Sequence, residues 1–171
     1  MESFVIVLYL VTLGVLALYG GHRSALLWSY LRHRREHPEP QGRFPQEALP
    51  RVTVQLPMYN ERFVAERLID AAVALDYPRD RLEIQVLDDS TDDTKSIAKA
   101  RCQRHRRAGV DIHYLHRDDR SGYKAGALEA GLQQATGELV LVFDADFLPG
   151  PSVLKDLVDY FTDPKVGMVQ A

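Results

Sequence analysis

The stretch RVTVQLPMYNERFVAERLIDAAVALDYPRDRLEIQVLDDSTDDT, residues 51–94, decides the fold. Val52 to Leu56 is an apolar run of strand length, Ala65 to Leu75 repeats its apolar residues at helical period, and Leu82 to Leu87 is a second strand-length run. Reading onward, the alternation continues: a helix over Thr94 to Arg107, a strand over Val110 to Leu115, a helix over Lys124 to Gln134, a strand over Leu139 to Phe143 and a helix over Val153 to Phe161. Four strand and helix pairs in series predict an α/β domain with a mainly parallel sheet flanked by helices. Open sheets of this kind bind ligands beyond the carboxyl ends of their strands, where strand order reverses. Four segments fall there: Pro57 to Glu61, Asp88 to Ser90, His116 to Lys124, and Asp144 to Asp146. No internal repeat interrupts the pattern. Val166 to Gln170 starts a further apolar strand, and its stop at Ala171 makes the sequence look cut short.

Upstream of Arg51 the chain changes character. Ser3 to Gly21 carries no charged side chain and has close to the length a bilayer-spanning helix needs, about 17 to 25 residues. Only Glu2 and the amino terminus precede it, whereas Arg23, Arg32, Arg34 and Arg35 follow it. That bias places the amino terminus outside and the following domain in the cytoplasm. A cleaved signal peptide would carry its basic residues ahead of the apolar run, and a buried core helix of a soluble domain would show a polar stripe. Trp28 and Tyr30 fall at headgroup depth. Residues 1–32 therefore read as a transmembrane anchor with its interfacial flank, residues 33–50, charged and proline-rich, as a linker, and residues 51–171 as the folded domain.

Composition narrows the partners. Of the 171 residues, 46% are apolar and 26% charged, as in a folded chain, and a formal net charge of -3 argues against wrapping nucleic acid. The single cysteine, Cys102, excludes an intrachain disulfide and a thiolate metal cage, and fits a reducing compartment.

At the rim, Asp144 and Asp146 present two carboxylates separated by one residue. Hard oxygen donors of this kind suit Mg²⁺ or Mn²⁺ carrying a diphosphate, where the ion would offset charge on a departing phosphate. An acidic turn ahead of a helix marked by Pro149 and Pro151 accounts for the same triplet without chemistry. Asp88 ends its strand where a carboxylate could accept the N3 hydrogen of a uracil or another base hydrogen, with Asp89 second to it. Asp92 and Asp93 read as helix-start acids, Ser90 and Asp93 matching a capping pattern. In SGYKAGAL, residues 121–128, the glycines permit close backbone approach and Lys124 offers a point charge for phosphate. Their spacing is neither a P-loop nor a dinucleotide fingerprint, and a flexible turn with a solvated lysine is the alternative. Tyr59 could stack on a base or simply pack; Asn60 and Glu61 could cap the next helix. An aspartate-dependent phosphotransferase, with Asp144 as nucleophile and Asp146 as acid, is a rival, although such enzymes usually carry that pair after the first strand.

Five motifs give a more specific indication: PMYNE at 57–61, LDDSTDDT at 87–94, GYKAGAL at 122–128, FDADF at 143–147 and VGMVQA at 166–171. With them the chain resembles family 2 glycosyltransferases of the GT-A, Rossmann-like fold, especially cellulose synthase and β-mannan synthase-like membrane enzymes, from about Arg51 to Ala171. The resemblance implies an inverting transfer of a hexose from UDP-glucose or GDP-mannose to a β-glycan or lipid acceptor. It implies Tyr59, Glu61, Asp88, Asp89, Lys124 and Asp144 as nucleotide-sugar contacts, Asp144 and Asp146 as ligands of Mg²⁺ or Mn²⁺, and a catalytic base beyond Ala171. On that expectation these residues bind donor without turnover. A non-catalytic relic that binds nucleotide sugar at the membrane is the other rival.

Overall fold

A computed structural model describes residues 1–34 and 39–170 of the chain, so Arg35 of the basic flank, part of the expected linker and Ala171 lie outside the described residues. The described residues form two units, one reaching from Met1 to Glu39 and one from Pro40 onward. The first is a single helix, α1 (Glu2–His33), with no buried residue. It is long and apolar enough to cross a membrane. At about 1.5 Å per residue, the uncharged run from Ser3 to Gly21 spans roughly 30 Å, the thickness of a hydrocarbon core.

The second unit holds a four-stranded sheet of β1 (Val52–Met58), β2 (Leu82–Asp88), β3 (Ile112–His116) and β4 (Leu139–Val142). Every pairing is parallel and the order is β3-β2-β1-β4. The intervening helices are α2 (Ala65–Val73), α3 (Thr94–Arg107) and α4 (Tyr123–Leu132), with α5 (Val153–Val158) after β4. Each strand and helix falls where the periodicity predicts, with shifted ends. β3 starts at Ile112 and not Val110 because Gly109 turns with a φ of 84° and Val110 N–H donates back to His105 O at 3.1 Å. The helix expected to reach Phe161 leaves α-geometry after Val158 and finishes as a 3-10 turn, Asp159–Thr162. Val166 to Gln170 forms no strand; among the described residues no neighbour extends the sheet past β4, and a strand needs one to pair with.

The two faces of the sheet differ. On one, Val54, Leu56, Ile84, Val86 and Ile112 are 0–2% exposed and join Leu68 and Ile69 of α2 and Ala98 and Cys102 of α3 in one core. Ala65, Leu68, Ile69 and Ala72 follow the i, i+3, i+4, i+7 spacing that turns one stripe of α2 inward; Leu68→Ala would cost about 2–5 kcal/mol. The alternate residues Thr53, Gln55, Glu83 and Gln85 are polar, as for a solvated face, yet equally buried. They satisfy one another: Thr53 Oγ1 donates to Glu83 Oε2 at 2.6 Å and Gln55 Nε2 to Gln85 Oε1 at 3.0 Å. α4 seals them because Gly131 has no side chain; a Cβ there would lie 2.7 Å from Gln55 Nε2. Glu83 also accepts from Thr136 N–H at 2.8 Å. Burial disfavours its charge, and the hydrogen bonds from Thr136 and Thr53 outweigh that and hold its pKa below 4.5.

Within the expected linker, the residues nearest β1 lie against the domain. Phe44 N–H donates to Asp159 Oδ1 at 3.0 Å, Gln41 Nε2 to Asp163 Oδ2 at 2.7 Å, and Tyr77 Oη to Pro50 O at 2.6 Å.

Candidate functional site

Strand order reverses at β1: from β1 the chain steps outward to β2 and β3, then crosses back to place β4 on the other side. The carboxyl ends of β1 and β4 therefore flank the crevice such a sheet offers to a ligand. A cleft of about 400 Å³ lies there, lined among others by Tyr59, Glu61, Asp89, Arg120, Lys124, Asp144 and Asp146. Six of the seven residues singled out from sequence thus converge on one cavity, from all four strand-end segments.

Asp88, the seventh, lies beneath it. Its side chain is fully buried, its Oδ2 accepts from Tyr114 Oη at 2.6 Å and its Oδ1 from Ser90 N–H at 2.9 Å. Burial and the Asp88 hydrogen bond both push the Tyr114 hydroxyl well above its ordinary pKa, keeping it a donor. Asp89 is the acid that reaches the cleft wall, although the sequence favoured Asp88. Arg117 grips it with two parallel bonds, Nε to Oδ1 at 2.9 Å and Nη2 to Oδ2 at 2.6 Å. That bond raises the Arg117 pKa further, against the cost of desolvation.

The loop after β1 is pinned across the sheet. Asn60 sits at a φ of 56°, a region asparagine tolerates, with its N–H donating to Ser90 Oγ at 2.8 Å and its Oδ1 accepting from Thr91 N–H at 2.9 Å. Ser90 and Asp93 therefore do not form the expected capping box: Ser90 holds the neighbouring loop, Asp93 makes no side-chain cap, and Asp92 Oδ1 takes the Thr94 N–H at 3.0 Å instead. On the far wall, Gly122 at a φ of 72° and Tyr123 at 51° turn the chain tightly into α4. For a bulky residue such as Tyr123 that conformation is strained. Gly126 permits it, since a Cβ there would meet Ser121 O at 2.2 Å.

Lys124 Nζ is paired with Asp144 Oδ1, both side chains more than half exposed. Asp146 is exposed beside them. Among the described residues no group of three or more histidine, cysteine or acidic side chains is placed to hold a metal ion. Two carboxylates fit a cation that takes the rest of its oxygen shell from phosphate and water, as Mg²⁺ commonly does. They do not fit an ion caged by protein alone.

Sequence reasoning missed three participants: Arg117, Arg120 and Tyr123. The Arg120 guanidinium carbon lies 3.4 Å from the Tyr59 ring centre and 5.1 Å from that of Tyr123. All three lie within HRDDRSGYK, residues 116–124, a segment placed at the rim from sequence in which only Lys124 was singled out.

Comparison with known proteins accords with this geometry. The glycosyl transferase family 2 model matches residues 53–171. Glucomannan 4-beta-mannosyltransferase 2 of Arabidopsis thaliana is 47% identical over 127 residues, 71% of this chain and 24% of that protein. Glucomannan 4-beta-mannosyltransferase 1 of Oryza sativa subsp. japonica is 40% identical over 139 residues, 78% of this chain and 27% of that protein. The chain thus spans about a quarter of the length of these relatives. Among solved structures, the mannosyltransferase PcManGT from Pyrobaculum calidifontis, in complex with GDP-Man and Mn²⁺, superposes with a TM-score of 0.72 at 36% identity, over 89% of this chain and 44% of that one. TarS 1-349 of S. aureus, in complex with UDP-GlcNAc, gives 0.54 at 29% identity over 62% and 29%. With a parallel sheet whose switch point gathers the rim residues, and a family match from Thr53 to the last residue, the chain belongs to glycosyl transferase family 2.

Proposed function

We propose that this chain carries the donor-binding part of an inverting hexosyltransferase that is held at a membrane by α1 and faces the cytoplasm. The donor is a UDP- or GDP-hexose and the acceptor a growing β-glycan or a lipid. The observation that carries the reading is the convergence of Tyr59, Glu61, Asp89, Lys124, Asp144 and Asp146 on one cleft at the switch point. The glucomannan mannosyltransferase relatives and the GDP-Man held by PcManGT favour a mannosyl donor among the hexoses.

In this reading Tyr59 offers its ring to the base and Asp89 a carboxylate beside it. Asp144 and Asp146 would hold a divalent cation through their exposed carboxylates. Lys124, paired with Asp144 in the free protein, offers its ammonium to phosphate oxygens. Bound there, a divalent cation supplies charge stabilisation for the departing diphosphate. The chain's own residues fix the donor so that the face of the anomeric carbon opposite the phosphate stays open to an acceptor hydroxyl. In-line attack there forms the new glycosidic bond, breaks the bond to phosphate and inverts the centre, the hydroxyl proton passing to a general base.

Titration calorimetry of the full chain with GDP and with UDP, with and without Mn²⁺, tests this. Wild type should bind one of the two more tightly with Mn²⁺, and Asp146→Ala should lose that gain, a drop of about tenfold or more. Equal affinity in both proteins would sink the metal assignment; no binding of either nucleotide by wild type would sink the donor site.

A further inference from the structure

Of the two cations that line the cleft, Lys124 is already engaged by Asp144, but Arg120 has no carboxylate partner. Among the described residues its side chain makes neither a hydrogen bond nor an ion pair, and its Nε is buried without an acceptor. What holds it is stacking: the guanidinium covers the Tyr59 ring at 3.4 Å and stands 5.1 Å from the Tyr123 ring. Its backbone, by contrast, is firmly set. Arg120 O accepts the Tyr123 N–H at 2.9 Å, and Arg117, gripped by Asp89, donates to Tyr123 O at 3.2 Å and Ser121 O at 3.3 Å. A rigid loop thus presents a planar cation that lacks an anion, and parks it on the ring face a base would use.

We propose that Arg120 is a diphosphate-binding residue of the cleft, resting on Tyr59 in the free protein and handed to phosphate oxygens when a base takes the ring. The inference rests on the donor-site reading above. Two features of the site explain why such an exchange is favourable. A ring face can serve one planar partner at a time, so the arriving base displaces the guanidinium. A diphosphate then offers paired acceptors that match the guanidinium fork, which the tyrosines cannot. Specificity follows too: a nucleoside gains the ring but leaves Arg120 displaced and unpaired, whereas a nucleoside diphosphate repays both losses.

The test compares wild type with Arg120→Ala, reading affinity for GDP and UDP and, by ligand-observed NMR, for guanosine and uridine. The decisive quantity is the ratio of diphosphate to nucleoside affinity for whichever base wild type prefers. Arg120→Ala should lower that ratio by about ten- to a hundredfold, the diphosphate weakening while the nucleoside binds equally or more tightly. An unchanged ratio overturns the proposal, whether both ligands weaken together, as when Arg120 merely props Tyr59, or neither does. If wild type binds neither diphosphate, the donor-site reading itself has failed. Arg120→Gln repeats the measurement should the alanine variant not fold, and Arg120→Lys, which keeps the charge without the fork, should recover part of the ratio.

Discussion

Two pairs of aspartates end two parallel strands of the same sheet, and the molecule treats them oppositely. At β2, Asp88 and Asp89 are 0% and 6% exposed, and Tyr114, Ser90 and Arg117 occupy their oxygens. At β4, Asp144 and Asp146 are exposed, and one accessible lysine is the partner of the first. The difference comes from position in the sheet. β2 is an interior strand, so its end is walled by β3 and by the loops after β1 and β3, and a carboxylate there must be satisfied internally. Among the described residues β4 is paired on one side only, by β1, and its end opens on the cleft beside the switch point. A buried acid below the cleft with a full set of partners, such as Asp88, is scaffolding, whereas an open acid held by a surface lysine, such as Asp144, can exchange that partner for a ligand.

Removing members of each pair should therefore damage different properties. The largest effect belongs to Asp88→Ala, which strands the Tyr114 hydroxyl and the Ser90 N–H in a buried site. It should cost about 3 kcal/mol and lower Tm by roughly 10 °C; a thermal melt within 2 °C of wild type, as an order-of-magnitude bound, would break the distinction. Glu83, on the same strand but the opposite face, extends the scaffolding class. Glu83→Gln points an amide donor at Thr53 and Thr136 and should cost about 2 kcal/mol at neutral pH. Because its folded pKa lies below 4.5, its contribution is complete above about pH 4.5 and is lost as pH falls through the folded value. The gap between wild type and variant in denaturant titrations should hence shrink on acidification, and a constant gap would refute the assignment. Asp146→Ala should be the mildest for the fold, within about 0.5 kcal/mol of wild type, while abolishing the Mn²⁺ gain in nucleotide binding. A comparable loss of stability would place it with Asp88.

The strands and helices were legible because each carries a local signature: β1 and β2 keep apolar residues at alternate positions, β4 is a short apolar run, and α2 keeps its inward stripe at helical spacing. The polar face of the sheet was not. Thr53, Gln55, Glu83 and Gln85 alternate as a solvated face would, and only the cross-strand bonds and the missing side chain of Gly131 reveal that α4 covers them. At the rim, the place of Asp144, Asp146 and Lys124 in the cleft was legible because each stands at the end of a strand-length run or the start of the next helix. Arg117 and Arg120 could not, because their parts depend on which carboxylate and which ring the fold brings within reach. That Asp89 and not Asp88 lines the cleft was hidden for a related reason: adjacent residues at a strand end point to opposite sides, and which side is open is decided by β3 and its loop.

Cys102 offers a practical handle on these questions. It is the protein's one thiol, 3% exposed between α3 and the sheet, and burial pushes its pKa up to about 12. A thiol reagent must wait for α3 to lift, so the labelling rate in native buffer clocks the opening of the domain without an added probe. Run with the α1 unit in detergent or lipid, that clock reports on the domain alone, since α1 contains no cysteine.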